Sequence, residues 1–339
     1  HGPRGHDQLR SGMLSSVTRL SRSPFSLRLP RSLRLLGVGL TMANLFGSVA
    51  AGRVGRMVRE GTTLRIEPPE ECDSLVVIMH GLGDTADGFA DVAQMFSPRM
   101  PKTRFILPTA PRQPVTLNRG MIMTSWYDIV GLGDRTIEEC EGIEESAASI
   151  REILDKEHAS SGIPYNRMVV AGFSQGGSLS LYLSLQQPAE KKLAGVLAMS
   201  GYLAGFKKFK ITPGVEDTPI LHQHGMADPM VQFKWAEFTR DKIRELGATG
   251  YELDPYRGLT HSVSPDELAN GLAFLQKVLP ALEASGSAQA SSTNYEDMSV
   301  AELKAAIQTG GLGTQAVGLL EKEDLVKFLK ENQPSKDEL

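Results

Sequence analysis

The chain has 339 residues, 41% of them hydrophobic, with 36 Lys+Arg against 40 Asp+Glu and only two cysteines. That length suits one large domain with additions, and one disulfide at most, between Cys72 and Cys140, leaves the core to packing. Residues 1–59 hold ten Arg, no Lys and one acid, Asp7, so residues 60–339 carry a net charge of −13, which argues against a nucleic acid as partner of the body.

Residues 1–59 are Arg- and Ser-rich with no periodic apolar face, the composition of a targeting leader. Within them Arg28, Arg31 and Arg34 precede an apolar run, Leu35 to Ala51, that ends in small residues. This reads as a secretory signal or a short signal anchor, although its glycines and Asn44 weaken it as a membrane span. An organellar transit peptide is the competing reading. The chain opens with His1 rather than Met, so Met13 or Met42 is a candidate start.

From residue 60 strands and helices alternate. Thr63–Ile66 is a short strand, and Leu75–Met79 is a continuous apolar run, as a strand buried on both faces should be. It ends in the flexible turn His80-Gly81-Leu82-Gly83-Asp84-Thr85. Residues 86–96 carry Phe89, Val92, Ala93 and Phe96 at helical spacing. Arg104–Leu107 is a strand stopped by Pro108. Residues 109–124 then read as a long irregular loop, costly to expose unless its apolar residues line something. Thr136-Ile137-Glu138-Glu139 reads as a capping box opening a helix to about His158, with Ile143, Ala147, Ile150 and Leu154 on its buried face.

The next stretch runs from Met168 to Phe173 and into Ser174-Gln175-Gly176-Gly177. A strand, then Gly-x-Ser-x-Gly, then a helix is the context of a nucleophile elbow, with Ser174 at its apex and Gly172 and Gly176 giving it room. Gly195–Met199, Pro219–His224 and Tyr251–Tyr256 are further strands, and a helix covers roughly 231–246. Ser264-Pro265-Asp266-Glu267 is a capping box opening a last helix to about Leu282. The alternation predicts a mostly parallel sheet with helices on both faces and a site at the carboxyl ends of its strands.

A serine hydroxyl needs a base, and the base an orienting acid, which in this arrangement follow in the order Ser, Asp or Glu, His. Only His222, His224 and His261 follow Ser174. His222 and His224 share one face of a strand and read as buried structural histidines. His261 lies in the loop after the last strand, and Asp228 in the turn Gly225-Met226-Ala227-Asp228-Pro229 after the strand before it. Ser174, Asp228 and His261 therefore form the expected triad. The oxyanion donors expected from this geometry are the backbone N–H groups of Gln175 and Leu82. A zinc site on His80, His222, His224 and Asp228 is the weaker alternative, because no His/Cys/Glu spacing matches a metal motif. No metal and no cofactor is expected.

Taken together, His80-Gly81-Leu82-Gly83-Asp84, Leu107-Pro108-Thr109-Ala110-Pro111, Pro114-Val115-Thr116, Ser125-Trp126-Tyr127-Asp128-Ile129, Gly172-Phe173-Ser174-Gln175-Gly176-Gly177, His224-Gly225-x-x-Asp228-Pro229-x-Val231 and His261-Ser262 resemble the acyl-protein thioesterase, or lysophospholipase-like carboxylesterase, family of α/β-hydrolases. The resemblance covers about residues 62–282. It implies the Ser174–His261–Asp228 triad, an oxyanion hole at Leu82 and Gln175, and an apolar loop over the acyl chain, with Leu117, Met121, Met123 and Trp126 as substrate-binding residues. The implied substrates are acylated proteins, or lysophospholipids and small acyl esters, met through a transient membrane contact. A catalytically silent lipid-binding or docking protein is the alternative. Gly201-Tyr202-Leu203 departs from the more usual Trp-containing turn, which leaves chain-length preference open.

Residues 283–296 read as a flexible linker and 297–332 as a small module resembling a SAP-like helix–turn–helix. Its first helix opens on Ser299-Val300-Ala301-Glu302 and its second is marked by Leu325, Val326, Phe328 and Leu329. Its lysines are interleaved with acids, so no basic stripe for nucleic acid exists. The tail, 333–339, ends Lys336-Asp337-Glu338-Leu339, an ER-retrieval address. With a secretory leader it predicts the endoplasmic reticulum lumen, with the cytoplasm or another organelle as alternatives.

Overall fold

Alternation of apolar residues on both faces is what builds the centre of this protein, a computed structural model of which describes residues 53–282, 300, 303 and 321–331. Eight strands form one sheet: β1 (Arg56–Glu60), β2 (Thr63–Glu67), β3 (Ser74–Met79), β4 (Thr103–Leu107), β7 (Met168–Phe173), β8 (Gly195–Met199), β9 (Ile220–Gly225) and β10 (Tyr251–Tyr256). Their spatial order is β1-β2-β4-β3-β7-β8-β9-β10. The strands from β4 to β10 run parallel, while β2 is antiparallel to β4 and β1 antiparallel to β2.

In β3, Leu75, Val77 and Met79 enter one core and Val76 and Ile78 the other. Val170 and Ala171 of β7 divide in the same way, as do Ala198 and Met199 of β8. A strand with helices on both sides has no face left for polar residues, so its sequence is a continuous apolar run. Helices α2 (Ile143–Ser161), α3 (Gln175–Ser184) and α4 (Phe233–Glu245) cover the first core. Helices α1 (Ala90–Phe96) and α5 (Pro265–Val278) cover the second. On α2 the buried face is Ile143, Ala147, Ile150 and Leu154, the spacing expected of it.

Three local expectations need correction. The leader boundary at residue 59 falls inside the sheet, because Arg56–Glu60 is β1, paired residue for residue with β2 across Gly61, whose φ is +58°. Its side chains are nearly all exposed, so an edge strand there leaves no apolar alternation to read. The irregular loop is a two-stranded hairpin, β5 (Arg112–Val115) with β6 (Met121–Thr124), closed through Arg119 in the left-handed region at φ +57°. Pro114 lies in this two-stranded ribbon, an edge position where proline is tolerated. The capping box at Thr136 does not form. Asp134 caps a short turn at Thr136, Glu138 is buried against Arg135, and α2 starts only at Ile143, after Gly142 at φ +90°. The capping box at Ser264 does form in both directions, and α5 ends at Val278, short of Leu282.

The chain divides into two compact units between Ala281 and Leu282. In the second, Val300 and Leu303 are helical and α6 (Lys322–Glu331) buries Leu325, Val326 and Leu329. The apolar leader run, the linker, the rest of the module's first helix and the Lys336–Leu339 address lie outside the described residues. Among the described residues no helix is long and apolar enough to cross a membrane.

Candidate active site

Ser174 stands between β7 and α3 with φ +55° and ψ −116°, a conformation that a non-glycine residue adopts only when its surroundings hold it there. The surroundings are backbone. A Cβ on Gly172 would lie 2.3 Å from the Gly176 carbonyl carbon, and one on Gly176 would lie 2.1 Å from the Met79 carbonyl oxygen. The Ser174 N–H donates to the Met199 carbonyl at 2.8 Å, which ties the elbow to β8. The Gln175 N–H opens α3, where helix geometry leaves the first N–H groups without an intrahelical acceptor.

The two partners come from the ends of β9 and β10. A Cβ on Gly225 would meet the Leu259 carbonyl oxygen at 2.3 Å, so only glycine lets the loop after β10 cross the end of β9. The Met226 N–H donates to the Tyr256 carbonyl and the Ala227 N–H to the Leu259 carbonyl, which stitches the two loops together. His261 Nδ1 is 2.7 Å from Asp228 Oδ2, and His261 Nε2 is 2.9 Å from Ser174 Oγ. Asp228 Oδ1 accepts from the N–H groups of Met230 and Val231. The Asp228 side chain is fully buried and that of His261 is 9% exposed.

The loop after β3 approaches from the other side. The Cβ position of Gly81 is 3.5 Å from Ser174 Cβ, so the backbone preceding Leu82 runs directly beside the serine. His80 is buried and holds this loop. Its Nε2 accepts from the Ala110 N–H, so Nδ1 carries the proton and donates to the Gly81 carbonyl. Burial pushes its pKa down, which keeps it neutral.

Trp126, expected as a substrate contact, is enclosed by protein. It is 2% exposed, and its indole N–H donates to the His80 carbonyl while its ring packs on the His80 ring. An indole buried with its N–H satisfied fixes its neighbours in place. Of the other expected contact residues, Leu117 is half-buried against the core, Met121 is 55% exposed, and Met123 places its sulfur 3.8 Å from the Cβ position of Gly83.

Three side-chain roles escaped the sequence reading. The Gln175 side chain accepts from the Trp126 N–H and donates to Ser125 Oγ and the Tyr127 carbonyl, bolting the elbow to the segment after the hairpin. Phe173 lays its ring against His261, with centroids 4.9 Å apart. Tyr202, in the departing turn, donates to Glu138, receives the Tyr127 hydroxyl and stacks under Arg135. Phe173 and Gln175 occupy the free positions of Gly-x-Ser-x-Gly, so the motif itself carries no signal for them. Among the described residues no group of three or more His, Cys, Asp and Glu is arranged to hold a metal ion.

The phospholipase/carboxylesterase family model matches residues 62–279. The chain is 39% identical over 218 residues to acyl-protein thioesterase 1 of Mycosarcoma maydis, covering 60% of this chain and 90% of that protein. It is 39% identical over 206 residues to acyl-protein thioesterase 1 homolog 1 of Dictyostelium discoideum, at the same coverages. Among solved structures it superposes on Arabidopsis thaliana SOBER1 with a TM-score of 0.55 at 31% identity, over 61% of this chain and 99% of the other. Zea mays acyl-protein thioesterase 2 gives a TM-score of 0.56 at 25% identity, over 65% of this chain and 100% of the other.

Proposed function

The chain belongs to the phospholipase/carboxylesterase family of α/β-hydrolases and is a serine hydrolase of acyl thioesters or esters, and from that premise we propose that Ser174 is its nucleophile, His261 its general base and Asp228 the acid that orients the base. One observation carries the assignment: an unbroken line of hydrogen bonds runs from Ser174 Oγ through both nitrogens of His261 to Asp228 Oδ2.

The chemistry follows from that line. The Ser174 hydroxyl passes its proton to His261 Nε2 as Oγ attacks the acyl carbonyl carbon. The carbonyl oxygen becomes an oxyanion, held by the backbone N–H groups of Leu82 and Gln175. Asp228 keeps the His261 Nδ1 proton in place and offsets the charge of the imidazolium. The tetrahedral intermediate expels the thiolate or alkoxide, which takes the proton back from Nε2, and the acyl group stays on Ser174. Water, deprotonated by the same ring, then releases the carboxylic acid.

The substrate we assign is an acyl group on a protein cysteine, after the acyl-protein thioesterases among the relatives, with lysophospholipid esters second. A thiol of pKa about 8.5 leaves far more readily than an alcohol. Leu117, Met121 and Met123 form the apolar path for the chain, and the exposed Met121 and Ile122 meet the membrane that presents it. Ser174→Ala is expected to remove nearly all p-nitrophenyl octanoate hydrolysis and all fluorophosphonate labelling. Asp228→Asn is expected to lower turnover about 10⁴-fold. Steady-state kinetics decide both, and activity retained by the alanine variant would mean another nucleophile.

A further inference from the structure

Behind Asp228 runs a second line of polar groups that takes no part in the steps above. His222 and His224 lie on β9, and both are fully buried. His224 Nε2 is 2.7 Å from the Val231 carbonyl, and His224 Nδ1 is 3.4 Å from His222 Nε2. His222 Nδ1 contacts the hydroxyl of Tyr251 on β10.

The protons can be assigned from one end. A carbonyl only accepts, so His224 Nε2 carries a hydrogen. Burial pushes the His224 pKa down, so the ring is neutral and its Nδ1 is a bare acceptor. The donor to it is His222 Nε2–H. His222 is driven further down by burial and by the neighbouring His224, so its Nδ1 is bare in turn. The Tyr251 hydroxyl, which burial keeps protonated, fills that position. Each ring has one proton, and every donor points toward the turn that carries Asp228.

That turn is held on both sides of one residue. The Val231 carbonyl accepts from His224, and the Val231 N–H donates to Asp228 Oδ1 at 2.9 Å. His224 Nε2 also lies 3.7 Å from Asp228 Oδ2, the oxygen that faces His261. The remaining groups around the line are the Gly201 carbonyl, a second acceptor for the His222 N–H, the Phe233 ring, T-shaped against His224, and Arg240, Arg244 and Asp241 near Tyr251.

We infer that Tyr251, His222 and His224 are positioning residues for this hydrolase: a directed chain of neutral hydrogen bonds that fixes the Val231 turn and so aims the Asp228 carboxylate at His261. The inference rests on Asp228 being the orienting acid. A neutral His224 matters, because a doubly protonated ring 3.7 Å from Oδ2 would compete with His261 for the same negative charge. The chain therefore keeps that charge available for the ring that needs it.

The test uses the full chain and four variants, Asp228→Asn, His224→Leu, His224→Gln and Tyr251→Phe, with p-nitrophenyl octanoate across pH 5–9. His224→Leu is expected to lower kcat at least tenfold with little change in KM. It should also move the acid limb of the pH profile downward, because His261 loses part of the support for its charged form. His224→Gln, whose amide N–H can still reach the Val231 carbonyl, should recover most of the loss. Tyr251→Phe should act in the same direction and more weakly. Nitrogen-15 chemical shifts in the wild type should report both buried rings as neutral Nε2–H tautomers at pH 7.

An inactive Asp228→Asn beside a His224→Leu enzyme of wild-type kcat and pH profile would overturn this inference alone. A fully active Asp228→Asn would overturn both it and the reading it rests on. Charged or Nδ1–H rings in the spectrum would also overturn it.

Discussion

Ser174 keeps its backbone angles because Gly172 and Gly176 let the strand before it and the helix after it touch. Filling either space meets carbonyl groups that cannot move aside. Gly176→Ala is therefore expected to cost about 3 kcal/mol or more and to abolish fluorophosphonate labelling, where a surface Gly→Ala change would do neither. Thermal melts and labelling of the purified variant check this. The meeting of Ser174, Asp228 and His261 was legible in the sequence, because each follows the end of a strand of one sheet. The role of Trp126 was not. The resemblance made it a contact for the substrate, and the bond from its indole N–H to the His80 carbonyl adds a bracing role that no sequence pattern shows. The same holds for Gln175, whose three side-chain bonds reach residues 48 to 50 positions away.

At the scale of elements, buried parallel strands announce themselves and edge strands do not. β3 from Leu75 onward, β7 and β8 are apolar without interruption, whereas β1 is exposed and β5 contains proline, so pattern alone reads both as irregular chain. Capping boxes show the opposite failure. Thr136 and Glu139 have the required spacing, but the buried Arg135–Glu138 pair holds this segment in a tight turn, and α2 begins later. Ser264 and Glu267 form their box, and it starts the helix directly after the His261 loop. Ser264→Ala is expected to cost about 1 kcal/mol of stability. Because the cap also anchors that loop, kcat should fall along with the melting temperature. In the hairpin, Met123→Ser is expected to lower kcat/KM more for a sixteen-carbon acyl substrate than for a four-carbon one. Equal losses on both would remove Met123 from the acyl path.

At the scale of the molecule, the sheet separates two cores, and an acidic weak point lies in the second. Glu267 is fully buried at the start of α5, facing a small apolar cavity lined by Phe89, Leu197, Leu268 and Gln223. Its Oε1 has no hydrogen-bond partner among the described residues, and neither does Gln223 Oε1. Burial pushes its carboxyl up to about 7 from the usual 4.5, with Asp254 and Asp228 adding to the rise and the Ser264 N–H opposing it. A carboxyl whose folded pKa is raised holds its proton more tightly in the native state. Its contribution to stability is therefore greatest below pH 4.5 and falls as pH rises through about 7. The loss over that window is about 3 kcal/mol. Glu267→Gln keeps a group able to cap Ser264 and removes the ionisation. Its melting temperature should match the wild type near pH 4 and exceed it near pH 8, and equal curves would place the proton elsewhere. The order of the strands has a different consequence. Ser174 follows a central strand, but His261, the base proposed for it, follows the last strand to join the sheet. Nascent chains stalled at successive lengths on the ribosome should therefore react with fluorophosphonate only after the stretch through α5 has emerged. The enzyme is born unarmed, and any fragment cut short before its closing helix remains so.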